Sequence, residues 1–178
     1  MAQAIIPIYS MTSLEFTKYS KTASDFEKQI FLANDFTGQS KKICLIHNNG
    51  ILEKVILGMG NLFDPQIFGV LSRNLPSGTY EIFGIEDETI AKAILFFHLG
   101  AYYFDRFKKS PRKEIILIPP SIVAIEEILN IVDAIKMGRD LVNTPANILN
   151  ATELRNFAIE IGNQNGAIAL SVIGDDLL

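Results

Sequence analysis

The sequence predicts an α/β fold in which helices flank a mixed β-sheet, and three observations carry that prediction. β-rich runs alternate along the chain with amphipathic runs of helical period, the order of a layered sheet rather than a bundle or sandwich. Asn48-Asn49-Gly50 joins two β-rich runs, residues 42–47 and 51–58, and so supplies one antiparallel pair. Of the 178 residues, 48% are hydrophobic and 20% charged, which is enough to build a core and excludes a disordered chain.

From the N-terminus, residues 4–9 read as a strand, and Pro7, which cannot donate to a ladder, places that strand at a sheet edge. The rest of residues 1–23 carries no decisive period. Ser24-Asp25 opens a short helical pattern with Phe26, Ile30 and Phe31 on one face, and residues 34–42 are polar and loop-like. The hairpin that follows turns at Asn49-Gly50, a pair that tolerates the positive φ of a tight turn. Asp64 as N-cap and Pro65 at the first helical position start a helix bearing Ile67, Phe68, Val70 and Leu71. Pro76-Ser77-Gly78 ends it, and residues 79–85 alternate as a strand. Glu86-Asp87-Glu88 begin a helix expected to run to about Lys108, where Arg106, Lys108 and Lys109 complement the helix dipole. Residues 114–118 form a short apolar strand before Pro119-Pro120. Residues 121–143 make a long amphipathic helix, with Ile125, Ile128, Leu129, Val132, Ile135 and Met137 recurring near the helical period. A last helix runs from Asn150 to Gly162, with Asn150 as N-cap and Glu153 completing a capping box, and residues 167–173 read as a final strand.

The whole-chain numbers close several functional classes. A formal net charge of −4 and a pI near 5.2 give no global field toward nucleic acid or an anionic membrane. One cysteine cannot form an internal disulfide, and no uninterrupted 18-residue apolar stretch predicts a transmembrane helix. The first residues lack the basic region of a signal peptide, so the expected compartment is the cytoplasm. Mean hydropathy is +0.24, an apolar surplus for a self-contained domain of this size.

Residue chemistry supplies candidates but no active site. Cys44 and His47 stand three apart on a strand and point to opposite faces, so they read as a core thiol and a strand-end imidazole rather than a metal pair, and His98 reads as a helix histidine. No nucleophile elbow is present. The acidic groups Glu86-Asp87-Glu88 and Asp175-Asp176 read as solvated termini. Gly58-Met59-Gly60 after a strand would suit a phosphate loop, but Phe63 stands where a dinucleotide fingerprint needs its third glycine. The candidate nucleic-acid contact is Arg106, Lys108, Lys109, Arg112 and Lys113, interleaved with Phe104 and Phe107; the acidic balance favours reading it as a helix end and solvated loop. Catalytic and metal-binding residues are expected to be absent.

Two stretches resemble a known family. Met137-Gly138-Arg139-Asp140-Leu141-Val142-Asn143-Thr144-Pro145-Ala146-Asn147 is similar to the RDLVNTPAN signature of leucyl (cytosol) aminopeptidases, with Arg139, Asp140, Asn143, Pro145 and Asn147 as its structural residues. Leu99-Gly100-Ala101-Tyr102-Tyr103-Phe104-Asp105-Arg106-Phe107-Lys108 resembles that family's LGAYRFDRYK segment, with Tyr103 and Phe107 departing from it. After Asn147 the family has a Thr N-cap, a Pro and a Glu, where this chain has Asn150, Ala151 and Thr152.

The resemblance implies a macro-like N-terminal α/β domain over residues 1–120, a linker helix over 121–143, and the start of a catalytic domain over 144–178. It also implies a parent enzyme that removes N-terminal amino acids with two divalent metals, Zn or Mn, and assembles as a homo-oligomer, a hexamer. The NTDAEGR hallmark of that catalysis has no match in these residues. This segment would therefore be non-catalytic and would serve oligomer contacts and active-site access, with the catalytic domain as its partner. The alternatives are a macro-like module binding an ADP-ribose-type ligand or DNA, and a purely structural interaction domain.

Overall fold

The structure is a computed structural model that describes residues 4–109 and 111–174. Its element order is β1 (Ile5–Thr12), α1 (Ser13–Thr22), α2 (Asp25–Ala33), β2 (Ile43–Asn48) and β3 (Ile51–Gly60), then a 3-10 turn (Pro65–Val70) running into α3 (Leu71–Asn74). β4 (Gly78–Phe83), α4 (Asp87–Gly100), β5 (Ile115–Leu117), α5 (Ile125–Asn143) and α6 (Ala151–Gln164) follow. The five strands form one mixed sheet in the order β2-β3-β1-β4-β5, with β2–β3 antiparallel and the other pairs parallel. The α/β class with a mixed sheet flanked by helices is therefore correct. The chain divides into two compact units, Met1–Ile135 and Lys136–Leu178.

β1 is the centre of the sheet, not its edge. Pro7 is accommodated because residues 5–7 ladder only to β4, with Pro7 opposite Glu81, while pairing with β3 begins at Ile8 opposite Val55. The missing N–H therefore falls where β1 has a partner on one side only. Residues 12–23, indecisive in sequence, form α1 behind a Thr12–Glu15 capping box, and Ser24 and Glu27 repeat the device at α2.

The sheet's two faces are covered differently. On one, Ile8, Val55, Leu57, Tyr80, Ile82 and Leu117 pack with Ile67, Phe68 and Leu71 of the 3-10/α3 segment, with Ile90, Ile94 and Phe97 of α4, and with Ile128 and Val132 of α5. On the other, Phe16, Phe31 and Phe36 stack edge-on over Cys44, Ile46 and Ile56. That second layer reaches no further than Met11 near the end of β1. Ile5, Tyr9, Phe83 and Ile116, which share its face by register, are left 37–51% exposed. Phe26, expected on the buried face of α2, is also exposed, because α2 turns Phe31 rather than Phe26 to the sheet.

Several expected boundaries move. The hairpin turns at Asn49 and Gly50 as predicted, both at positive φ (50° and 80°). α4 ends at Gly100, eight residues short of Lys108. There Gly100 packs so closely on Gly69 that a side chain would overlap the Gly69 carbonyl, and Arg73 takes the end of the helix. Its Nε donates to Gly100 O (2.9 Å) and its Nη2 to Tyr102 O (3.2 Å). α5 begins at Ile125 rather than Ser121.

In the second unit, Asn150 caps α6 as expected by accepting from the Glu153 N–H (3.0 Å), but the reciprocal bond from the Glu153 side chain that would complete a capping box does not form. Residues 167–173 do not form a strand. They ladder to no segment among the described residues, and an isolated extended run has no hydrogen-bond partner to hold it as sheet.

One polar knot ties α1, α2 and β3 together. Lys54 Nζ lies 2.7 Å from Glu27 Oε1, Tyr19 Oη donates to the same oxygen (2.6 Å), and Ser24 N and Oγ donate to Oε2 (both 2.9 Å). Burial alone would raise the Glu27 pKa, but the hydrogen bonds from Lys54, Tyr19 and Ser24 outweigh it and hold the carboxyl at about 2, below its ordinary 4.5. A carboxyl depressed in the folded state contributes stability in full above pH 4.5 and loses it as pH falls through about 2. Glu27→Gln should cost about 1–2 kcal/mol at neutral pH and flatten the loss of stability between those two values, as read from urea midpoints across the range.

Candidate functional site

In open α/β sheets ligands settle at the carboxyl ends of the strands, where successive crossovers leave by opposite faces. Here that place is real. The chain passes from β1 to β3 through α1 and α2 on one face and from β3 to β4 through the 3-10 turn on the other. At the carboxyl ends of β1, β3 and β4 lies a cleft of about 340 Å³ lined by Thr12, Glu15, Met59, Phe63, Gly84 and Glu86, with Ile85 and Thr89.

Its chemistry is acidic and self-satisfied. The N-termini of α1 and α4 both open toward it, and such termini bind anions when their N–H groups are unoccupied. In α1 two of them are occupied: Glu15 Oε2 accepts from the Thr12 N–H and from Thr12 Oγ1 (both 2.7 Å), and Thr12 Oγ1 accepts from the Glu15 N–H (3.2 Å). At α4 the N-cap residue is itself an acid, Glu86. Two carboxylates in a 340 Å³ cleft disfavour a phosphate.

Gly58-Met59-Gly60 is not a loop. All three belong to β3, and the glycines exist for backbone contact with residues 38–42. Gly58 N donates to Lys42 O (2.8 Å), Lys41 N donates to Gly58 O (3.1 Å), and Gly60 N donates to Gly38 O (2.9 Å). A Cβ on Gly58 would overlap the Gln39 carbonyl, and Gly60 stands at φ 72°. The amides a phosphate would need are already bonded within the chain.

The basic residues lie in the segment between α4 and β5, not on a helix end. Arg106, Lys108, Lys109, Arg112 and Lys113 are all exposed. Arg112 pairs with Asp105 and lies over the Tyr103 ring (5.9 Å), which Arg73 also overlies (5.2 Å). Phe104 and Phe107 meet edge-on (5.7 Å), and Arg106 lies over Phe107.

Cys44 is buried in β2 and His47 is exposed three residues on. Burial pushes the Cys44 thiol up to about 11 despite nearby Lys42, so it stays protonated at neutral pH and is a poor nucleophile. His98 is half-buried against Phe97. Glu86, Asp87 and Glu88 are solvent-exposed at the start of α4, and Asp175-Asp176 lie outside the described residues. Arg139, Asp140 and Asn143 occupy the last turns of α5. Pro145 follows, its carbonyl accepting from the Ile148 and Leu149 N–H groups (both 2.9 Å), and Asn147 is exposed in the turn to α6.

Residues 6–120 match the family described as M17 aminopeptidase, N-terminal domain. The chain belongs to the M17 aminopeptidase family. Among solved structures, this M17 chain is similar to the cytosol aminopeptidase of Coxiella burnetii, at 28% identity and a TM-score of 0.83 over 99% of its length. The bottromycin maturation enzyme BotP, solved in complex with Mn, shares the fold at 18% identity and a TM-score of 0.73 over 98%. A tomato leucine aminopeptidase variant shares it at 17% identity and 0.64 over 92%. The M17 chain spans only 39% of the first two structures and 40% of the third. No curated protein matches it.

The donor set of this M17 segment does not fit a divalent metal. Among the described residues no three His, Cys, Asp or Glu side chains converge, and no helix is long and apolar enough to cross a membrane. Sequence reasoning missed the Thr12–Glu15 cap, although Thr-x-x-Glu is a local signature, and missed Arg73, whose partners lie 27 and 29 residues away. Two variants test the site as described. Gly58→Ala should cost about 3 kcal/mol or more by forcing the 38–42 segment off β3, visible as a lowered urea midpoint. Arg73→Ala should leave the fold intact, cost about 1–2 kcal/mol, and speed amide exchange across residues 101–109.

Proposed function

We propose that this chain is the non-catalytic N-terminal segment of a leucyl aminopeptidase, in which residues 1–120 form the sheet domain, 121–143 the linker helix and 144–178 the start of the catalytic domain. One observation carries the reading beyond family membership. α6 buries none of its residues, and Leu154, Ile168, Leu170, Val172 and Ile173 are 47–91% exposed. Side chains of that kind are normally covered by protein, and about three fifths of the length of each of the first two solved relatives lies beyond the part this chain matches. The surplus hydropathy of the sequence has the same origin.

In the parent enzyme two divalent metals, Zn or Mn, would polarise the scissile carbonyl and activate water. BotP, solved with Mn, supports that choice of metal. None of that chemistry falls to residues of this chain. Its sheet domain would instead shape access to the site and contact other subunits of a hexamer, in the cytoplasm. The resemblance to macro domains suggests an ADP-ribose site in the cleft. The carboxylates of Glu15 and Glu86 weigh against it.

The purified chain should not hydrolyse leucine p-nitroanilide with added manganese or zinc, and appending the downstream catalytic residues of a relative should restore turnover. Metal-dependent activity from the 178 residues alone would overturn the reading. Titration calorimetry with ADP-ribose should give no binding heat, and a saturable heat lost in Glu15→Ala would favour the macro-like module instead.

A further inference from the structure

A trough of about 430 Å³ lies between α1 and α2, apart from the cleft at the strand ends. Its floor is three phenyl rings: Phe16 of α1, Phe31 of α2 and Phe36 of the turn that follows. Phe16 meets each of the other two edge-on, at 4.9 Å between centroids, and the Phe36 N–H donates to Phe31 O (2.8 Å). The rings are only 3–5% exposed, so the floor is packed core and is formed before anything binds. Leu32, one turn along α2 from Lys28, adds an apolar wall and is itself exposed.

Two opposite charges line the same trough, Lys28 in α2 and Asp35 just beyond the end of that helix. They form no ion pair with each other. Lys28 lies 3.6 Å from Asp25 on open surface, a pair that holds the ammonium only weakly. The Asp35 carboxylate makes no ion pair among the described residues. Its backbone, by contrast, is fixed at a φ of 46°, with its carbonyl accepting from Gln39 Nε2 (2.7 Å) and Lys42 Nζ (3.0 Å).

An apolar floor of ligand-pocket size thus carries one cation and one anion that are free to take a new partner. We propose that the α1–α2 trough binds a short apolar zwitterion, a free amino acid or dipeptide. The side chain lies over the Phe16, Phe31 and Phe36 floor against Leu32, the carboxylate meets Lys28 and the ammonium meets Asp35. A phosphate-bearing ligand is the poorer occupant, because Asp35 repels it and Lys28 is the one cation in the lining. A purely apolar ligand covers both charged groups and satisfies neither. The site stands on its own geometry and does not depend on the aminopeptidase reading, under which its ligand belongs to the class of molecule that the parent reaction releases.

Amide shifts of the isotope-labelled full chain provide the test. L-phenylalanine should shift residues 16–20 and 28–37 saturably, with a dissociation constant of about 1 mM. Phenethylamine, which lacks the carboxylate, and 3-phenylpropionate, which lacks the ammonium, should each bind the unaltered chain more weakly, and glycine should not bind. Lys28→Gln should weaken L-phenylalanine and 3-phenylpropionate about threefold to fivefold and leave phenethylamine unchanged. Asp35→Asn should weaken L-phenylalanine and phenethylamine by the same factor and leave 3-phenylpropionate unchanged. Asparagine tolerates the positive φ of that position, so circular dichroism should show this variant folded. Whichever of L-phenylalanine and phenylalanyl-glycine binds more tightly identifies the source as free amino acid or dipeptide. The absence of saturable shifts up to about 10 mM L-phenylalanine overturns the inference. So do shifts that map away from residues 16–37, or an affinity indifferent to the loss of either charge from ligand or protein. None of these readouts is turnover, so their failure leaves the aminopeptidase reading standing.

Discussion

The structure depends on β1 being laddered on both sides. A parallel strand pair needs a crossover, and a strand between two parallel neighbours needs crossovers to both, so β1 fixes where the helices lie. The step to β3 carries α1 and α2 over one face, and the return to β4 carries the 3-10 turn over the other, with α4 on that same side. Alternation along β1 then divides its residues: Ile8 under the larger core, Tyr9 and Met11 on the opposite face. The carboxyl-end cleft is a consequence of that topology and not of any ligand.

What the fold then does with the cleft decides its chemistry. Folds of this class offer helix N-termini and glycine-bearing strand ends as anion cradles. This chain uses both internally. Glu15 satisfies the start of α1, and the amides of Gly58 and Gly60 bond to residues 38–42. The Cys44 thiol, for its part, is buried in β2, and burial pushes its pKa up to about 11.

The surfaces the domain leaves unfinished are as informative. A parallel sheet is normally covered on both faces, yet Ile5, Tyr9, Phe83 and Ile116 remain open beside the layer formed by α1 and α2. In the second unit α6 fully buries none of its residues, and Leu154, Ile168, Leu170, Val172 and Ile173 are exposed. Together these account for a hydropathy above that of a self-sufficient domain without requiring a larger core.

Sequence by itself determined the class of the fold, the hairpin at Asn49-Gly50, the caps at Ser24, Asp64 and Asn150, and the family, because each rests on residues adjacent or three to four apart. Even α1 was locally encoded in Thr12-x-x-Glu15. Tertiary structure alone decided the central place of β1, the end of α4 at Gly100, the strand identity of Gly58-Met59-Gly60 and the absence of a strand at residues 167–173. Each of these turns on a partner distant in sequence: β3 and β4 for β1, Gly69 and Arg73 for Gly100, Gly38 and Lys42 for the glycines, and a neighbouring strand for the last segment. Local pattern records what a residue prefers, whereas backbone hydrogen bonds and close approach record what it meets, and only the folded chain brings those partners together.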